Sequence, residues 1–555
     1  MQAARSGCAR TLQLRCVVRR SALSRVTDVL FEDLAASQPA QPDASLINSD
    51  FAPVGPEQRT FSTLDMAALW LGLVVCVPTW TLVGGLVELG FSALQGLFII
   101  AVRALELQQP RSCSRAARGG WLRCATLTLS PPFAQVANTI VLVPMVLNAH
   151  AGTKYGVPFP VLARSAFGVR GASVPSLLRA LVACGWFGIQ TWVGAGAIHT
   201  LLNSLTGGAL TAPTVAWLGI SWPEAFCFLL FWGVQVTIVW RGIESIKLVE
   251  KYSAPVLISL TAALFFWAVT AAGGVGPMLV APATFATSAG FWAALFPAIT
   301  ANVGFWATLS LNLSDFSRYS FSQRAQFAGQ ALGLPFTMVA FSSVALVVTS
   351  ATAVLFGAPV PDPVALLARI GGAGATGLGL VGLIVATLST NIAANVVAPA
   401  NAFVNLMPQR LSFRGGGVIT AVLGMLVCPW RLVSTTNGFI FVWLVGYSAL
   451  LGPVAGILLA DYWVLRRRAL DIDGLFSASP SGPYYFSRGY NLAALAALVA
   501  GVAPNVPGFL QAAGVAHGVH WLWVRVYEYA WFVGFGVAAA VYLALMAART
   551  DTRAA

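Results

Sequence analysis

A stretch in the middle of a long apolar run, CGWFGIQTW at 184–192, carries residue types that can bind a flat polar ring. Trp186 and Gln190 are four residues apart, so they share one face of an α-helix. An indole can stack on a planar ring, and an amide one turn away can hydrogen-bond to the edge of that ring. The pair therefore predicts a face that both stacks on a planar ligand and reads its edge.

Two further apolar runs carry polar residues near their middle. NVGFWATLSLN (302–312) contains Asn302, Trp306 and Thr308, and ATLSTNIAANVV (386–397) contains a Ser-Thr pair followed by two asparagines. Each residue alone can be explained by helix packing, because Ser and Thr often bond to their own backbone and Asn can bridge helices. The combination is also what a small-molecule site would need, and both explanations remain open at this point.

A proline interrupts the first apolar run, in VVCVPTW at 74–80. Proline removes a helical hydrogen bond, and freed backbone at membrane depth is tolerated only where protein or a cavity surrounds it. A hydroxyl pair next to such a broken helix can coordinate a small cation through side-chain and backbone oxygens. Broken helices with a site near the bilayer midplane are typical of secondary transporters.

The composition predicts that these runs cross a membrane. Of the 555 residues, 57% are hydrophobic and 9% are charged, whereas a soluble domain has about 25% charged residues. Apolar blocks of about 20 residues are long enough to span the hydrocarbon as helices. We predict an all-α polytopic protein with twelve transmembrane helices. The second is interrupted, and the others lie near 64–88, 174–203, 221–240, 253–273, 289–312, 328–356, 375–403, 415–430, 436–460, 489–509 and 526–547.

Loop charges predict the orientation. With the N-terminus inside, seventeen Lys and Arg residues, Arg179 among them, fall on inner loops and the C-terminus, against Arg369, Arg431 and Arg525 on outer loops. This is a strong positive-inside bias. It accounts for the net charge of +13 without a nucleic acid partner.

Two regions depart from the regular pattern, and they set the predicted domain boundaries. Residues 1–27 contain six arginines and no acid, so the tail at 1–60 is either a transit peptide or a disordered basic segment. The half-spans FSALQGLFIIAV (91–102) and ANTIVLVPMVLN (137–148) would join into one helix without the arginine-bearing residues between them. We therefore interpret 103–136 as an insertion in a transporter domain at 61–548, followed by a tail at 549–555; a genuine long loop is the alternative.

Other chemistry is not indicated. The eight cysteines are scattered without a C-x-x-C pair, the four histidines are dispersed, and no Gly-rich phosphate loop follows a strand. We predict no disulfide framework, no cofactor and no enzymatic nucleophile with its base.

A channel or a membrane receptor is the rival from another class, but a channel would need charges or carbonyls along an open path, whereas the polar residues here cluster at one depth.

Several long motifs resemble those of the nucleobase:cation symporter-1 family, and in particular its plant and algal plastid members. These are LNAHAGTKYGVPFPVLARSAFGVRGA (147–172), ALVACGWFGIQTWVGAGAI (180–198), GFWATLSLNLSDFSRY (304–319), LADYWVLRRRALDIDGLF (459–476) and GPYYFSRGYN (482–491). The resemblance covers about 60–548 apart from the insertion. It implies a LeuT-like fold, with two inverted repeats of five helices and two additional C-terminal helices.

The resemblance also implies roles for individual residues. Trp186 should stack on the substrate ring and Gln190 should bond to its amide edge; Trp306 should flank the ring, with Phe305 as the fallback; and Asn395 should bond to the substrate. The implied cation ligands are the hydroxyls of Ser389 and Thr390 and the carbonyls of Ala386, Val75 and Pro78. The match is weaker in the first span, which leaves a substrate contact by Thr79 and the coupling ion open.

The expected function is symport of nucleobases such as uracil, adenine or guanine, with H+ or Na+ as the coupling ion. Family resemblance favours protons, for which Glu224 is the most interior acidic candidate, although it could also lie at the membrane interface. The alternative within the same fold is a sodium-coupled allantoin or hydantoin importer. We expect a monomer surrounded by lipid, in the plastid envelope or the plasma membrane.

Overall fold

The computed structural model describes residues 39–48, 51–93, 95–96, 136–241, 243–275, 284–285, 287–371, 373–435 and 438–554. Residues 1–38 and, except for Val136, the predicted insertion at 103–136 lie outside the described residues. Within those ranges the secondary structure is helical, and β pairing is limited to the isolated bridges Phe61–Ser320 and Ser487–Tyr490.

Eighteen helices are labelled here in chain order. They are α1 Thr63–Val74, α2 Val77–Glu88, α3 Val136–Tyr155, α4 Phe159–Phe167, α5 Ser173–Leu205, α6 Trp222–Arg241, α7 Ile243–Ala271, α8 Ser288–Asn312, α9 Gln323–Phe356, α10 Pro363–Ile370, α11 Ala373–Asn395, α12 Val397–Leu406, α13 Phe413–Leu426, α14 Val445–Leu459, α15 Leu492–Val502, α16 Val506–Ala512, α17 Trp521–Glu528 and α18 Ala530–Ala554. Short helical turns lie at Pro56–Gln58, Ser314–Ser317, Pro429–Leu432, Ile472–Leu475 and Ala503–Asn505, and π-helical segments at Gly438–Leu444 and Ala460–Leu465.

The described residues contain eight helical segments that are long and apolar enough to cross a membrane, or nine when the bent pair α1 and α2 is taken as one span. Shorter apolar helices occur at Pro255–Ala271 and Phe413–Leu426, where the fifth and ninth spans were predicted. The all-α, multi-pass architecture is thereby confirmed. The count of twelve stays a prediction, because half of the second span lies outside the described residues.

The first span is broken, and its sequence explains where. Helix α1 begins with a capping box between Ser62 and Asp65 and ends at Val75, whose φ and ψ leave the helical region. Helix α2 restarts at Val77 with a bend of 58° between the two pieces. Pro78 occupies the first turn of α2, where its missing N–H leaves no intrahelical bond unmade.

The eighth and tenth spans are also irregular. Residue 396 separates α11 from α12, so Asn395 is the last residue of α11. The tenth span continues from one π-helical segment through α14 into the other. Such π turns widen a helix locally and occur often at functional sites.

The chain before α1 packs against the inner face, by the predicted orientation. The Val54 N–H donates to the Gly156 carbonyl at 2.8 Å, and the Asp43 N–H donates to the Phe476 carbonyl at 2.9 Å. Phe61 pairs with the segment that follows α8, through bonds of 2.8 Å to Tyr319 and 3.1 Å from Phe321. The predicted tail at 1–60 therefore ends in a segment that belongs to the folded unit.

Arg164 on α4 holds three inner segments together. Its guanidinium donates to the Leu475 carbonyl at 3.0 Å, the Leu46 carbonyl at 3.0 Å and Asn405 Oδ1 at 2.9 Å. The side chain is fully buried, and burial lowers the pKa of Arg164 to about 9, which still leaves it protonated at neutral pH. Its three acceptors are all neutral oxygens, and its Nε is buried without an acceptor among the described residues, so the planar fork of the guanidinium matters more than its charge alone.

We expect Arg164→Lys to lower the thermal midpoint of the purified protein, because an ammonium cannot reach three divergent acceptors. The loss corresponds to about 2 kcal/mol, the scale of a hydrogen bond to a charged group. Arg170→Lys, at an exposed arginine nearby, is the matched control and should leave the midpoint unchanged. Equal midpoints for the two variants would show that the three contacts do not hold the inner face.

Candidate substrate site

One small cavity collects most of the residues that the sequence singled out. Its volume is about 40 Å³, which gives room for a few water molecules at about 10–15 Å³ each and none for a heterocyclic ring. It lies next to the break in the first span. The cavity is lined by Leu73, Cys76, Arg179, Trp186, Gln190, Phe305, Trp306, Thr308, Leu309, Thr390, Ala394 and Asn395.

Aromatic rings close one side of this cavity. The Trp186 ring meets Phe305 edge to face at 5.2 Å, and Phe305 meets Trp306 in the same way at 4.9 Å. Trp306 in turn contacts Trp70 of α1 at 5.5 Å. Edge-to-face contacts of this kind are favourable, and they connect the first, third and sixth spans around the predicted ring site.

The tenth span supplies a second aromatic wall behind Trp186. Phe439, Trp443 and Tyr447 approach its ring at 5.9, 6.0 and 6.3 Å. Sequence reasoning did not select these three residues, because aromatic residues of one apolar span look like ordinary packing until the third and tenth spans are known to touch.

The two glycines of CGWFGIQTW allow these close approaches. A Cβ on Gly185 would lie 2.2 Å from the Trp443 ring, and one on Gly188 would lie 2.3 Å from the Gly424 carbonyl oxygen of α13. Both distances are shorter than real Cβ contacts allow. The glycines thus allow the helix that carries Trp186 and Gln190 to pack closely against two neighbouring spans.

The two predicted substrate amides differ in their present partners. Gln190 Oε1 is buried and accepts no hydrogen bond from a described residue, which is costly unless water or a ligand donates to it. The Asn395 amide nitrogen donates to Asn391 Oδ1 at 3.0 Å. Both side chains line the cavity, so the structure brings the predicted amides together with the predicted rings.

Only Thr390 of the predicted cation ligands lines this cavity. Its hydroxyl donates to the Ala386 carbonyl at 3.1 Å, so these two predicted ligands bond to each other. Ser389 is buried beside them. At the break of the first span, the Val75 carbonyl accepts no hydrogen bond from a described residue, while Pro78 lines a different cavity.

Thr79 is buried, but it does not line the cavity around Trp186. Its hydroxyl lies 3.1 Å from the Cys76 thiol, and Cys76 is the residue of the break that reaches the cavity. At the break of the first span, the side chain that faces the cavity is therefore that of Cys76 and not that of Thr79.

Arg179 corrects the charge count made from the sequence. It was placed on an inner loop, but it lies within α5 and is buried. Its Nε donates to the Thr308 carbonyl and to Asn312 Oδ1, each at 2.9 Å, and its Nη1 has no acceptor among the described residues. Arg179 lies seven residues before Trp186 and therefore shares the helix face of Trp186. This spacing is visible in the sequence, but the count of loop charges did not use it.

Glu224 lies in the first turn of α6. Its carboxylate accepts bonds from the N–H and the hydroxyl of Ser221, both at 2.8 Å. It lines a second cavity of about 360 Å³ together with Asp362 and His199. By the predicted orientation this cavity opens on the outer side. Glu224 therefore lies near the membrane interface and not in the interior of the span.

The arrangement of broken helices, aromatic rings and amides around one buried cavity is that of a membrane transporter. The family described as permease for cytosine/purines, uracil, thiamine, allantoin matches residues 53–106 and 133–534. The chain belongs to this nucleobase:cation symporter-1 family.

Two curated relatives are similar over most of the chain. A purine-uracil permease of Arabidopsis thaliana is 48% identical over 532 residues, covering 96% of this chain and 83% of that protein. An allantoin permease of Bacillus subtilis is 36% identical over 504 residues, covering 90% and 93%.

A solved structure of the same family supports the fold. Mhp1, a nucleobase-cation-symport-1 family transporter in a closed conformation with bromovinylhydantoin bound, superimposes with a TM-score of 0.70, at 23% identity and covering 92% of this chain and 97% of that one. The LeuT-like fold class implied by the sequence motifs is thereby confirmed.

Trp186→Ala and Gln190→Leu should have different effects on uptake. Loss of the indole should raise the apparent KM for every flat substrate about fivefold or more, since base–aromatic stacking contributes about 1–3 kcal/mol per base. Loss of the amide should instead change the order of preference among substrates, because a hydrogen-bonding site discriminates more strongly than an apolar one. Trp240→Ala, at an exposed tryptophan of α6, is the control. Unchanged uptake by both site variants at normal membrane levels would place the substrate elsewhere.

Proposed function

We propose that this protein is a symporter of nucleobases, such as uracil, adenine or guanine, or of related planar heterocycles. The observation that carries the proposal is the convergence of Trp186, Gln190 and Asn395 on one buried cavity. A stacking ring with two amides matches the faces and edges of a flat amide-containing ring. The purine-uracil and allantoin permeases that resemble this chain along most of its length support the same substrate class.

In this proposal Trp186 stacks on the ring, Gln190 and Asn395 bond to its edge, and Trp306 and Phe305 flank it. The aromatic contacts support this assignment, because Phe305 already meets the Trp186 ring. Thr79 has a weaker claim than its neighbour Cys76, which reaches the cavity.

We further propose that the coupling cation, H+ or Na+, acts between the first and eighth spans. The ligands available to Na+ are the hydroxyls of Ser389 and Thr390 and the carbonyls of Ala386, Val75 and Pro78. The carbonyl left free of backbone bonds at Val75 supports such a site, because backbone oxygens at a helix break are what a small cation uses in transporters. The Thr390 hydroxyl that donates to the Ala386 carbonyl keeps its oxygen lone pairs, which can coordinate Na+.

An allantoin or hydantoin importer is the second candidate, and the 36% identity to an allantoin permease favours it. A channel or receptor is disfavoured, because the cavity has a volume of only about 40 Å³ and aromatic rings close one side of it. We expect a monomer in the plastid envelope or the plasma membrane, and the basic residues at 1–27 support the former.

One uptake panel tests the substrate and the ion together. Uracil, adenine, guanine, cytosine and allantoin are supplied to cells that express the protein, in sodium-containing and sodium-free buffer across a pH series. Proton coupling predicts uptake that rises as external pH falls, is abolished by an uncoupler and ignores sodium replacement. A strict sodium requirement with a flat pH response would assign Na+, and no uptake of any ring would refute the proposed function.

We also propose that residues 103–136 are an insertion that the transporter domain does not use. The family match supports this, because it ends at 106 and resumes at 133. Without the insertion the two apolar half-spans would form one continuous second helix, and charged residues would not interrupt it within the membrane, where they are costly.

Deletion of 103–136 should therefore preserve or improve transport. The control replaces the same residues with a Gly/Ser linker of equal length, which keeps the halves apart without the arginines. Sequencing of the transcript checks the message directly. A mature message that contains the segment, together with a deletion that abolishes folding, would contradict the proposal.

A further inference from the structure

Hydrogen-bonded, buried polar side chains connect helix α6, the fourth span, to the substrate cavity. Gln235 lies on α6, which contributes no residue to that cavity, yet its side chain is fully buried. It is hydrogen-bonded to Thr191 of α5 and Asn391 of α11, and Asn391 is bonded to Asn395. A buried amide within a membrane span is costly unless every group is bonded, so these connected side chains require an explanation beyond helix packing.

The hydrogen bonds have a defined direction, which starts at Thr191. The Thr191 hydroxyl donates its single hydrogen to the Phe187 carbonyl at 2.7 Å, so its oxygen can only accept further bonds. The group of Gln235 that meets this oxygen at 3.0 Å must therefore be the amide nitrogen. Gln235 Oε1 is consequently turned toward α11.

The same logic continues through Asn391. Gln235 Oε1, the Phe187 carbonyl and the Thr191 hydroxyl oxygen all accept from the Asn391 amide nitrogen, at 2.7, 3.0 and 3.2 Å, and Gln235 Oε1 is the shortest of the three contacts. Asn391 Oδ1 must then face the other way, where it accepts from the Asn395 amide nitrogen at 3.0 Å. Each amide orientation, which would otherwise be ambiguous, is fixed by the one before it.

The last step sets what the substrate meets. Because Asn391 holds the Asn395 nitrogen, the carbonyl oxygen of Asn395 is the group left without a donor among the described residues. Gln190 Oε1, on the same cavity, also has none. A ring that presents an N–H at this point matches such an acceptor, whereas an unprotonated or methylated ring nitrogen would leave the oxygen without a donor, which is costly in a buried site.

We propose that Gln235 is a positioning residue that, through Asn391, fixes Asn395 with its carbonyl oxygen toward the substrate. The site thereby favours flat rings that present an N–H donor to this oxygen, either in the ring, as in uracil, or on an exocyclic amino group, as in adenine. This inference rests on the proposed function and adds the hydrogen-bonding polarity of its substrate class.

The test measures how a methyl group on each ring nitrogen affects competition. Uracil, 1-methyluracil and 3-methyluracil, and the corresponding hydantoins, compete with the labelled parent ring for uptake by the wild type and by Gln235→Leu. In the wild type, methylation of one nitrogen should weaken competition much more than methylation of the other. In Gln235→Leu the difference should shrink about threefold or more, because Asn391 loses the shortest of its acceptors and then holds the Asn395 amide less firmly.

Two further variants separate positioning from folding. Gln330→Leu removes another fully buried glutamine from a membrane span, one whose amide donates to Gln326, and it should leave the selectivity unchanged. Gln235→Glu should restore selectivity at acidic pH, because a protonated carboxyl has the same donor and acceptor ends as the amide, and burial favours that neutral form.

Each outcome decides the question. The positioning role alone would be overturned if Gln235→Leu keeps the selectivity between the methylated rings. It would also be overturned if Gln330→Leu loses that selectivity to the same extent. If none of these rings competes for uptake by the wild type, the proposed function is overturned together with this inference. The expected result is a loss of selectivity that is specific to Gln235→Leu and is regained in Gln235→Glu.

Discussion

Backbone and amide groups at membrane depth must be bonded within the protein or face a polar cavity, and this constraint organises the structure. The first span breaks after Val75, and the eighth is interrupted after Asn395. Both interruptions lie at the same cavity, where Cys76 and Asn395 are lining residues. Lipid could not accept a break such as that of the first span, so this span is broken where polar groups of its neighbours, or a ligand, can replace the missing helical bonds, while backbone bonds continue through Val396 of the eighth span.

Close helix packing makes the cavity possible. Gly188 of α5 touches the backbone of Gly424 on α13, and a Cβ on Gly304 of α8 would lie 2.0 Å from Ser448 Oγ on α14. Small residues at such crossings let helices approach without apolar side chains between them. The large rings of Trp186 and Phe305 are thereby confined to the remaining space, where they meet each other instead of lipid.

Parts of this site follow from the sequence, and others need the fold. The spacing of Trp186 and Gln190 is a local property of one helix, so periodicity alone predicts that they share a face. Arg179 shares that face too, but a count of loop charges assigns basic residues near span ends to loops and so conceals it. Gln235 gave no signal, because a single glutamine in a span is typical of helix packing and its partner Asn391 is 156 positions away. Such a pair becomes visible only when α5, α6 and α11 are assembled.

The size of the cavity bears on how substrate and cation act on each other. At about 40 Å³ the site cannot hold a ring unless Trp186 of the third span moves away from Phe305 and Trp306 of the sixth span. Trp306 also contacts Trp70 of α1, the helix that ends at the Val75 carbonyl. A substrate that separates the rings would change the contact between Trp306 and α1, and a cation bound at the break would stabilise one position of α1 over another. A ligand can shift an equilibrium only by its difference in affinity between two states, and the two sites would influence each other equally. The contact between Trp306 and Trp70 is thus one described connection through which ring binding and cation binding can be coupled, in addition to Thr390, which itself lines the cavity.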